Sequence, residues 1–133
     1  MKKNILFIMI ALAGFMFAGV QSVNAQMSYS VNFSWNEYNC SCSDPVTKKA
    51  RVILTDVVTN ATLDDSGWYK VSGLADLYES NAAIVFDTKD RYRLTIAVVY
   101  MNGTTVCCSG SKNSVWDGDD FLQTIPFDEI TLN

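Results

Sequence analysis

The sequence contains no histidine, and this absence excludes several kinds of chemistry at once. Without an imidazole the chain cannot build a Ser-His-Asp or Cys-His catalytic unit, a histidine general base or a histidine-ligated zinc or copper site. It also lacks a glycine-rich loop of the kind that cradles phosphate groups. We therefore expect a protein that is not an enzyme. A small hydrolase with paired carboxylates, or an inhibitor, stays open as an alternative because acidic residues are plentiful.

Long apolar runs are also scarce, since the sequence has a single one, from Ile5 to Val20. Lys2 and Lys3 precede this run, and Val23-Asn24-Ala25 places small residues at the −3 and −1 positions before Gln26. This is the three-part pattern of a secretory signal peptide. The alternative of a membrane anchor is disfavoured because about 20 apolar residues are needed to span a bilayer. The sequence thus predicts a cleaved signal peptide over 1–25 and one domain over 26–133, with no transmembrane segment.

The leader resembles those of secreted proteins from Bacteroidota-type bacteria, in which Gln often follows the cut. This resemblance implies a bacterial protein, and cleavage of the predicted signal peptide implies that it is secreted and extracellular, or periplasmic. From Gln26 onward the chain carries eight basic and 14 acidic residues, a net charge of −6. Because nucleic acids and anionic membranes bind basic surfaces, we expect neither as a partner.

Alternating residues predict β-strands along most of the domain. Tyr29, Val31, Phe33 and Trp35 lie on one face of a first strand, with Ser and Asn on the other. Other strands are predicted from the patterns that follow: Arg51–Val58, Trp68–Val71, Ala82–Phe86, and Arg91–Met101 with Tyr92, Leu94, Ile96, Val98 and Tyr100 on one face. The domain is therefore expected to be an antiparallel β-sandwich of about seven strands.

Three further segments carry local signals. Asn102-Gly103 between two apolar segments predicts a hairpin with a type I′ turn. A last strand is predicted within Phe121–Leu132, where Pro126 indicates an edge or a bulge. Leu74–Glu79 has helical spacing, so we expect one short helical turn near 74–79.

The segment Phe86–Val98, FDTKDRYRLTIAV, resembles the corner and long strand of immunoglobulin-like and fibronectin-like domains, in which a tyrosine follows a polar corner. The resemblance implies an immunoglobulin-like sandwich with Tyr92 as the corner tyrosine. A transthyretin-like or C2-like topology fits the pattern as well. The cysteine pair and core tryptophan of antibody domains have no counterpart here, so antibody-type recognition is not implied.

Four cysteines lie in the predicted domain, at Cys40, Cys42, Cys107 and Cys108. In an exported domain of this size, an even number indicates disulfides. Bridges within each close pair would be strained, so two pairings remain, and both tie the segment after the first strand to the strand after the hairpin. A zinc site built from four thiolates and a redox-active vicinal pair are the alternatives.

Acidic loops are the candidate metal sites. Asp117, Asp119 and Asp120 form the densest cluster around Gly118, and carboxylates on such a loop suit Ca²⁺. The alternative is a solvated turn, and no other cofactor is expected. Asp64-Asp65-Ser66-Gly67 is likewise predicted to be a turn.

Aromatic residues near loops or strand ends are the candidate ligand contacts, namely Trp68, Tyr69, Trp116 and Tyr38. Exposed rings there would stack on sugars or anchor a protein, whereas buried rings would cap the core. The sequence therefore predicts a non-enzymatic extracellular module for binding, adhesion or structure, whose partner is a protein or glycan at the cell surface. A carbohydrate-binding module, assisted by Ca²⁺, is the alternative. Regular edge strands would also allow self-association by strand addition.

Overall fold

The computed structural model describes residues 26–118 and 124–133, which are all-β. The predicted signal peptide lies outside these residues and stays a prediction. The described chain forms eleven strands instead of about seven, because β1, β4 and β6 lie in segments that were not predicted as strands and the predicted last strand is split into β10 and β11. They are β1 (Gln26–Met27), β2 (Ser30–Asn36), β3 (Thr47–Asp56), β4 (Thr62–Asp65), β5 (Tyr69–Lys70), β6 (Ala75–Glu79), β7 (Ile84–Val85), β8 (Arg91–Asn102), β9 (Thr105–Asp117), β10 (Thr124–Pro126) and β11 (Ile130–Thr131).

The larger sheet is antiparallel and is built on two long strands. Its order is β4-β3-β8-β9, and the short strand β5 also pairs with β3. The register between β3 and β8 runs without interruption from Thr47 opposite Met101 to Asp56 opposite Tyr92. This regular ladder forms the centre of the larger sheet.

The smaller sheet is centred on β2. β6 pairs with one side of β2 in antiparallel fashion, and both β10 and β11 pair with the other side in parallel fashion. The predicted last strand is therefore present as two short pieces, and Pro126 ends the first of them at the sheet edge. β1 and β7 form a separate antiparallel pair.

The core lies between the two sheets, and the residues predicted to share the inner faces are buried there. Trp35 on β2 is 1% exposed, and the inner residues of β3 and β8 pack in the same cluster. Removing these side chains from water supplies the main favourable term for folding. The alternation predicted for both β2 and β8 is thus confirmed.

The predicted helical turn near 74–79 is wrong, because this segment is strand β6. Its register with β2 runs from Ser30 opposite Glu79 to Ser34 opposite Ala75. The spacing of Leu74, Leu77 and Tyr78 matches one face of a helix. The backbone N–H and C=O groups of β2, however, form ladder hydrogen bonds with this segment, which are possible only if it is a strand. Leu77 consequently stays about half exposed, at 47%, on the outer side of the sheet.

The hairpin predicted at Asn102-Gly103 is present, but its turn is displaced by one residue. Asn102 pairs with Thr105, so Gly103 and Thr104 occupy the two turn positions. Gly103 has φ 60°. A positive φ at the first turn position alone corresponds to type II′ instead of type I′.

Gly110 on β9 lies against β11 and the residue that follows it. Backbone hydrogen bonds join Ser109 and Asn133 in both directions, at 3.0 and 3.1 Å, and bring the two segments together. A Cβ atom at Gly110 would overlap the carbonyl oxygen of Thr131, which is backbone and cannot rotate away. The absence of a side chain at this position is therefore required for the two sheets to close.

We expect Gly110→Ala to lower the free energy of unfolding by about 2 kcal/mol, the typical cost of overpacking a tight contact. Urea denaturation followed by tryptophan fluorescence measures this change. Ser111→Ala, at the exposed neighbouring position, is the control and should shift stability by less than about 0.5 kcal/mol. Equal effects of the two substitutions would contradict the close approach as the cause.

Candidate functional site

A cleft opens at the side of the domain where β4 and β5 of the larger sheet face β6 of the smaller one. Its volume is about 330 Å³. The residues that line it are mostly polar or aromatic: Asp64, Asp65, Ser66, Tyr69, Tyr78, Asn81 and Ala82. The cleft exists because β4 and β6 are edge strands of different sheets and do not pair with each other.

Asp64 is the centre of the hydrogen bonding in this cleft. It lies opposite Leu54 in the register between β3 and β4, and therefore points to the inner side of the larger sheet. Its Oδ2 accepts hydrogen bonds from the hydroxyls of Tyr29 at 2.7 Å, Tyr78 at 2.9 Å and Ser80 at 3.0 Å. Tyr78 belongs to β6, Ser80 directly follows it and Tyr29 directly precedes β2, so one carboxylate joins the two layers.

Three tyrosine rings line the cleft or lie directly behind it. The rings of Tyr69 and Tyr78 are stacked, with centroids 6.1 Å apart and an interplanar angle of 29°. Tyr29 lies against Tyr78 at the same centroid distance and is 2% exposed. Tyr69 also donates a hydrogen bond to Asp76 Oδ2 at 3.2 Å. Both hydroxyl groups at the cleft wall are thus held in fixed positions.

The tyrosine hydroxyls of the cleft are held in their neutral form. Burial, reinforced by the bond to Asp64, raises the pKa of Tyr78 to about 12. Burial also raises the pKa values of Tyr69 and Tyr29, with Asp76 and Asp64 adding to the effect. The phenols therefore remain proton donors at any physiological pH, and none serves as a base.

Asp65 is held by a different set of partners. Arg51 donates two hydrogen bonds to its carboxylate, at 2.9 and 2.5 Å, and the backbone N–H of Gly67 donates a third at 2.9 Å. The bonds from Arg51 lower the pKa of Asp65 to about 2. Asp65 accordingly stays charged. Because its carboxylate already accepts three hydrogen bonds from Arg51 and Gly67, it has little capacity left to accept one from a ligand.

The aromatic residues predicted as ligand contacts are spread over the domain, and the structure places only Tyr69 in the cleft. Trp68 precedes Tyr69 and is 46% exposed, whereas Tyr38 is 88% exposed in the segment after β2. Trp116 lies opposite Tyr92 and packs partly against the core. The four rings therefore do not form one binding surface.

Sequence reasoning missed Asp64 and Tyr78, which are central to the cleft. Asp64 was predicted to belong to a turn, but it is the inward residue near the end of strand β4. Tyr78 fell in the predicted helical turn. An interpretation of this segment as an alternating strand would have placed Tyr78 and Asp76 on one face and Leu77 on the other, but which face is inward follows from the pairing with β2.

The acidic loop is only partly described. Asp117 forms an ion pair with Arg91 at 3.4 Å, and Gly118 donates a backbone hydrogen bond to Asp90 at 2.8 Å. Asp119 and Asp120 lie outside the described residues. Calcium binding at this loop therefore stays a prediction.

The four cysteines form two disulfides, as expected, and the structure selects one of the two pairings. Cys40 is joined to Cys108 and Cys42 to Cys107, with Cα–Cα distances of 5.6 and 5.7 Å. Adjacent residues on a regular strand point to opposite faces, but Cys107 is the extra residue of a bulge in β9, which re-aims its side chain.

The sulfur atoms form one compact group. Cys42 Sγ lies 3.3 Å from Cys108 Sγ and 3.7 Å from Cys40 Sγ, although neither pair is bonded. Among the described residues, Cys40, Cys42 and Cys108 are the one set of three potential metal ligands that lie close together. All three form disulfides, so none is a free thiolate that could bind a metal ion. Two disulfides of this kind persist in an oxidising compartment outside the cytosol.

In residues 26–118 and 124–133 we find no helix with the length and hydrophobicity that a bilayer span requires. Comparisons of the chain with protein-family models, with curated proteins and with solved structures give no match.

Proposed function

We propose that the protein is a non-enzymatic extracellular binding module and that its side cleft holds a neutral, polyhydroxylated ligand of the sugar type. The observation that carries the proposal is the stacked Tyr69–Tyr78 pair beside the fixed carboxylate of Asp64. Ligand sites combine apolar or aromatic walls with a few polar groups that fix orientation, and this cleft has both.

A sugar suits the cleft better than a charged ligand. Asp64 and Asp65 would repel an anion, while an organic cation would find both carboxylates already engaged, Asp65 by Arg51 and Asp64 by three hydroxyl groups. A sugar hydroxyl can donate to carboxylate or amide oxygens and can accept from the amide of Asn81, which is exposed at the rim. Tyr69, which is partly exposed, offers the ring face that it does not stack on Tyr78 to sugar C–H groups.

We further propose that the domain has an immunoglobulin-like topology. The hydroxyl of Tyr92 accepts a hydrogen bond from the backbone N–H of Asp87 at 2.6 Å. This is the bond that a corner tyrosine makes to the backbone a few residues upstream. The core shared by two sheets is consistent with the same architecture.

The arrangement of acids favours binding over glycoside hydrolysis. Asp64 and Asp65 are adjacent on β4, so their side chains leave opposite faces of the strand. Hydrolysis requires two carboxyl groups that flank one glycosidic bond. Asp65 is in addition engaged by Arg51, which keeps it from acting as an acid.

We expect a neutral oligosaccharide from a glycan array to bind the protein and Tyr69→Ala to weaken this binding about tenfold, through loss of aromatic contact. Isothermal titration calorimetry with the array hit measures the change, with and without EDTA. Tyr38→Ala removes an equally large but distant ring and should leave affinity unchanged. Circular dichroism checks the fold of both variants. The proposal fails if no neutral glycan binds, or if Tyr38→Ala weakens binding as much as Tyr69→Ala.

A further inference from the structure

The outer face of the larger sheet is basic, although the domain as a whole is acidic. Residues that alternate with the buried positions of β3 and β8 point outward, and the register extends this face to β4, β5 and β9. We name this surface the basic face; its charged residues are Lys49, Arg51, Lys70, Arg91, Arg93, Asp65 and Asp117. It holds five of the eight basic residues of the domain but two of the 12 acidic residues that the structure describes. The net charge is thus +3 on the basic face and −7 on the other described residues.

Three cations on the basic face are not neutralised by the described residues. Arg51 and Arg91 are paired with Asp65 and Asp117, respectively. No described carboxylate forms a salt bridge with Lys49, Lys70 or Arg93.

Two of these cations face each other directly. Lys49 lies opposite Lys70 in the ladder between β3 and β5. Like charges in this position destabilise a sheet. The pair therefore costs folding energy that the fold itself does not recover, which points to a role in binding.

Between the cations, the surface of the basic face is formed by small, uncharged side chains. On β8 it consists of Thr95, Ala97 and Val99, which are partly exposed. Val99 lies opposite Lys49, and Arg93 lies six residues away on β8, about 20 Å along the strand. Among the described residues, none of the outward positions on the strands of this face is aromatic; Trp68, which directly precedes β5, is 46% exposed. The basic face is therefore an elongated surface with Lys49 and Lys70 near one end and Arg93 near the other.

We propose that the basic face binds a linear acidic polysaccharide with one carboxylate per sugar residue. Lys49 and Arg51 are two positions apart on one strand, about 7 Å, so the cations are widely spaced. Duplex DNA carries a charge every ~1.7 Å, and single strands bind by stacking on aromatic rings. A polymer of lower charge density matches the face better, and Thr95 with Ser111 and Asn113 can bond to its hydroxyls.

This inference goes beyond the proposed function and uses none of its cleft residues except Asp65, which is engaged by Arg51. A ligand on the basic face would leave Tyr69 and Tyr78 uncovered. Tyr69 points to the inner side of the larger sheet, and Tyr78 belongs to the smaller sheet. The two proposals can accordingly fail separately.

Binding of the protein to polygalacturonate at 50 and 200 mM salt tests the inference, with neutral dextran as the control polymer. We expect binding to polygalacturonate alone, weakened at the higher salt concentration. The triple variant Lys49→Gln/Lys70→Gln/Arg93→Gln should lose about tenfold in affinity, since exposed ion pairs are individually weak. Tyr69→Ala should bind polygalacturonate as the unchanged protein does.

Lys70→Gln and Lys89→Gln form a pair matched in charge, because Lys89 is exposed in the loop before β8 and lies off the basic face. Lys70→Gln should weaken binding and should not lower Tm, because it removes the repulsion with Lys49. Lys89→Gln should leave binding unchanged. Absence of binding to polygalacturonate, equal losses in the two variants, or equally tight binding to duplex DNA would each overturn the inference.

Discussion

Replacing all four cysteines by alanine is expected to lower the free energy of unfolding by about 6 kcal/mol, which is comparable with the whole stability of a small domain. The two bridges span sequence separations of 68 and 65 residues. Closing the first such loop in the unfolded chain is worth about 4 kcal/mol by chain entropy. With one bridge present, the second closes a ring of about five residues and adds about 2 kcal/mol.

The double variants Cys40→Ala/Cys108→Ala and Cys42→Ala/Cys107→Ala test this nested arrangement. Each should cost about 2 kcal/mol, because the remaining bridge still closes the long loop. Guanidinium denaturation of the three variants measures the differences, and peptide mapping without reductant verifies the pairing. A bridge between Cys40 and Cys107 in the mapping, or a loss near 6 kcal/mol in either double variant, would contradict the assignment.

Replacing Asp64 by alanine is expected to lower the free energy of unfolding by about 3 kcal/mol. The substitution removes the acceptor of three hydroxyl groups, one of which belongs to the buried Tyr29. Leaving a buried donor without its acceptor costs about 1–3 kcal/mol, and the two partly exposed donors add less because water replaces the carboxylate. Urea denaturation measures the loss.

Asp76→Ala is the matched control, because Asp76 accepts a hydrogen bond from one hydroxyl only, that of the partly exposed Tyr69. It should cost about 1 kcal/mol. In the background of Tyr29→Phe, the effect of Asp64→Ala should shrink, since the buried donor is already gone. Additive losses in this double-mutant cycle would show that Asp64 does not act through Tyr29.

The parts of the fold that the sequence predicted best are those in which one physical effect dominates. The alternation from Tyr29 to Trp35 and from Tyr92 to Tyr100 places apolar side chains on a single face, and a strand with one buried face is the structure that satisfies it. The predicted export indicated disulfides, because an oxidising compartment favours them. The pairing could not be predicted, since it depends on a bulge at Cys107 that has no sequence signature.

The candidate site was harder to predict because it forms between segments that are distant in sequence. Asp64 and Tyr29 are 35 residues apart, and nothing local to Asp64 distinguishes it from a turn residue. Ala75–Glu79 carries a helix-like pattern that pairing with β2 overrides. The basic face likewise depends on the register, which brings Lys70 opposite Lys49.

The parallel pairing of β10 and β11 with β2 also determines how the domain responds to a pulling force. The described chain enters β2 at Ser30, next to Thr124, and leaves β11 beyond Asn36 at the far end of the same strand. Tension between the two ends of the domain would therefore shear these strands lengthwise, which loads their hydrogen bonds together instead of one by one. If the pairing of β2 with β10 and β11 broke, extension of the chain would stop at Cys40 and Cys108, because the disulfide between them keeps the 68-residue span from unfolding. The domain thus combines a parallel strand pairing that resists tension with a disulfide that limits how far the chain can extend.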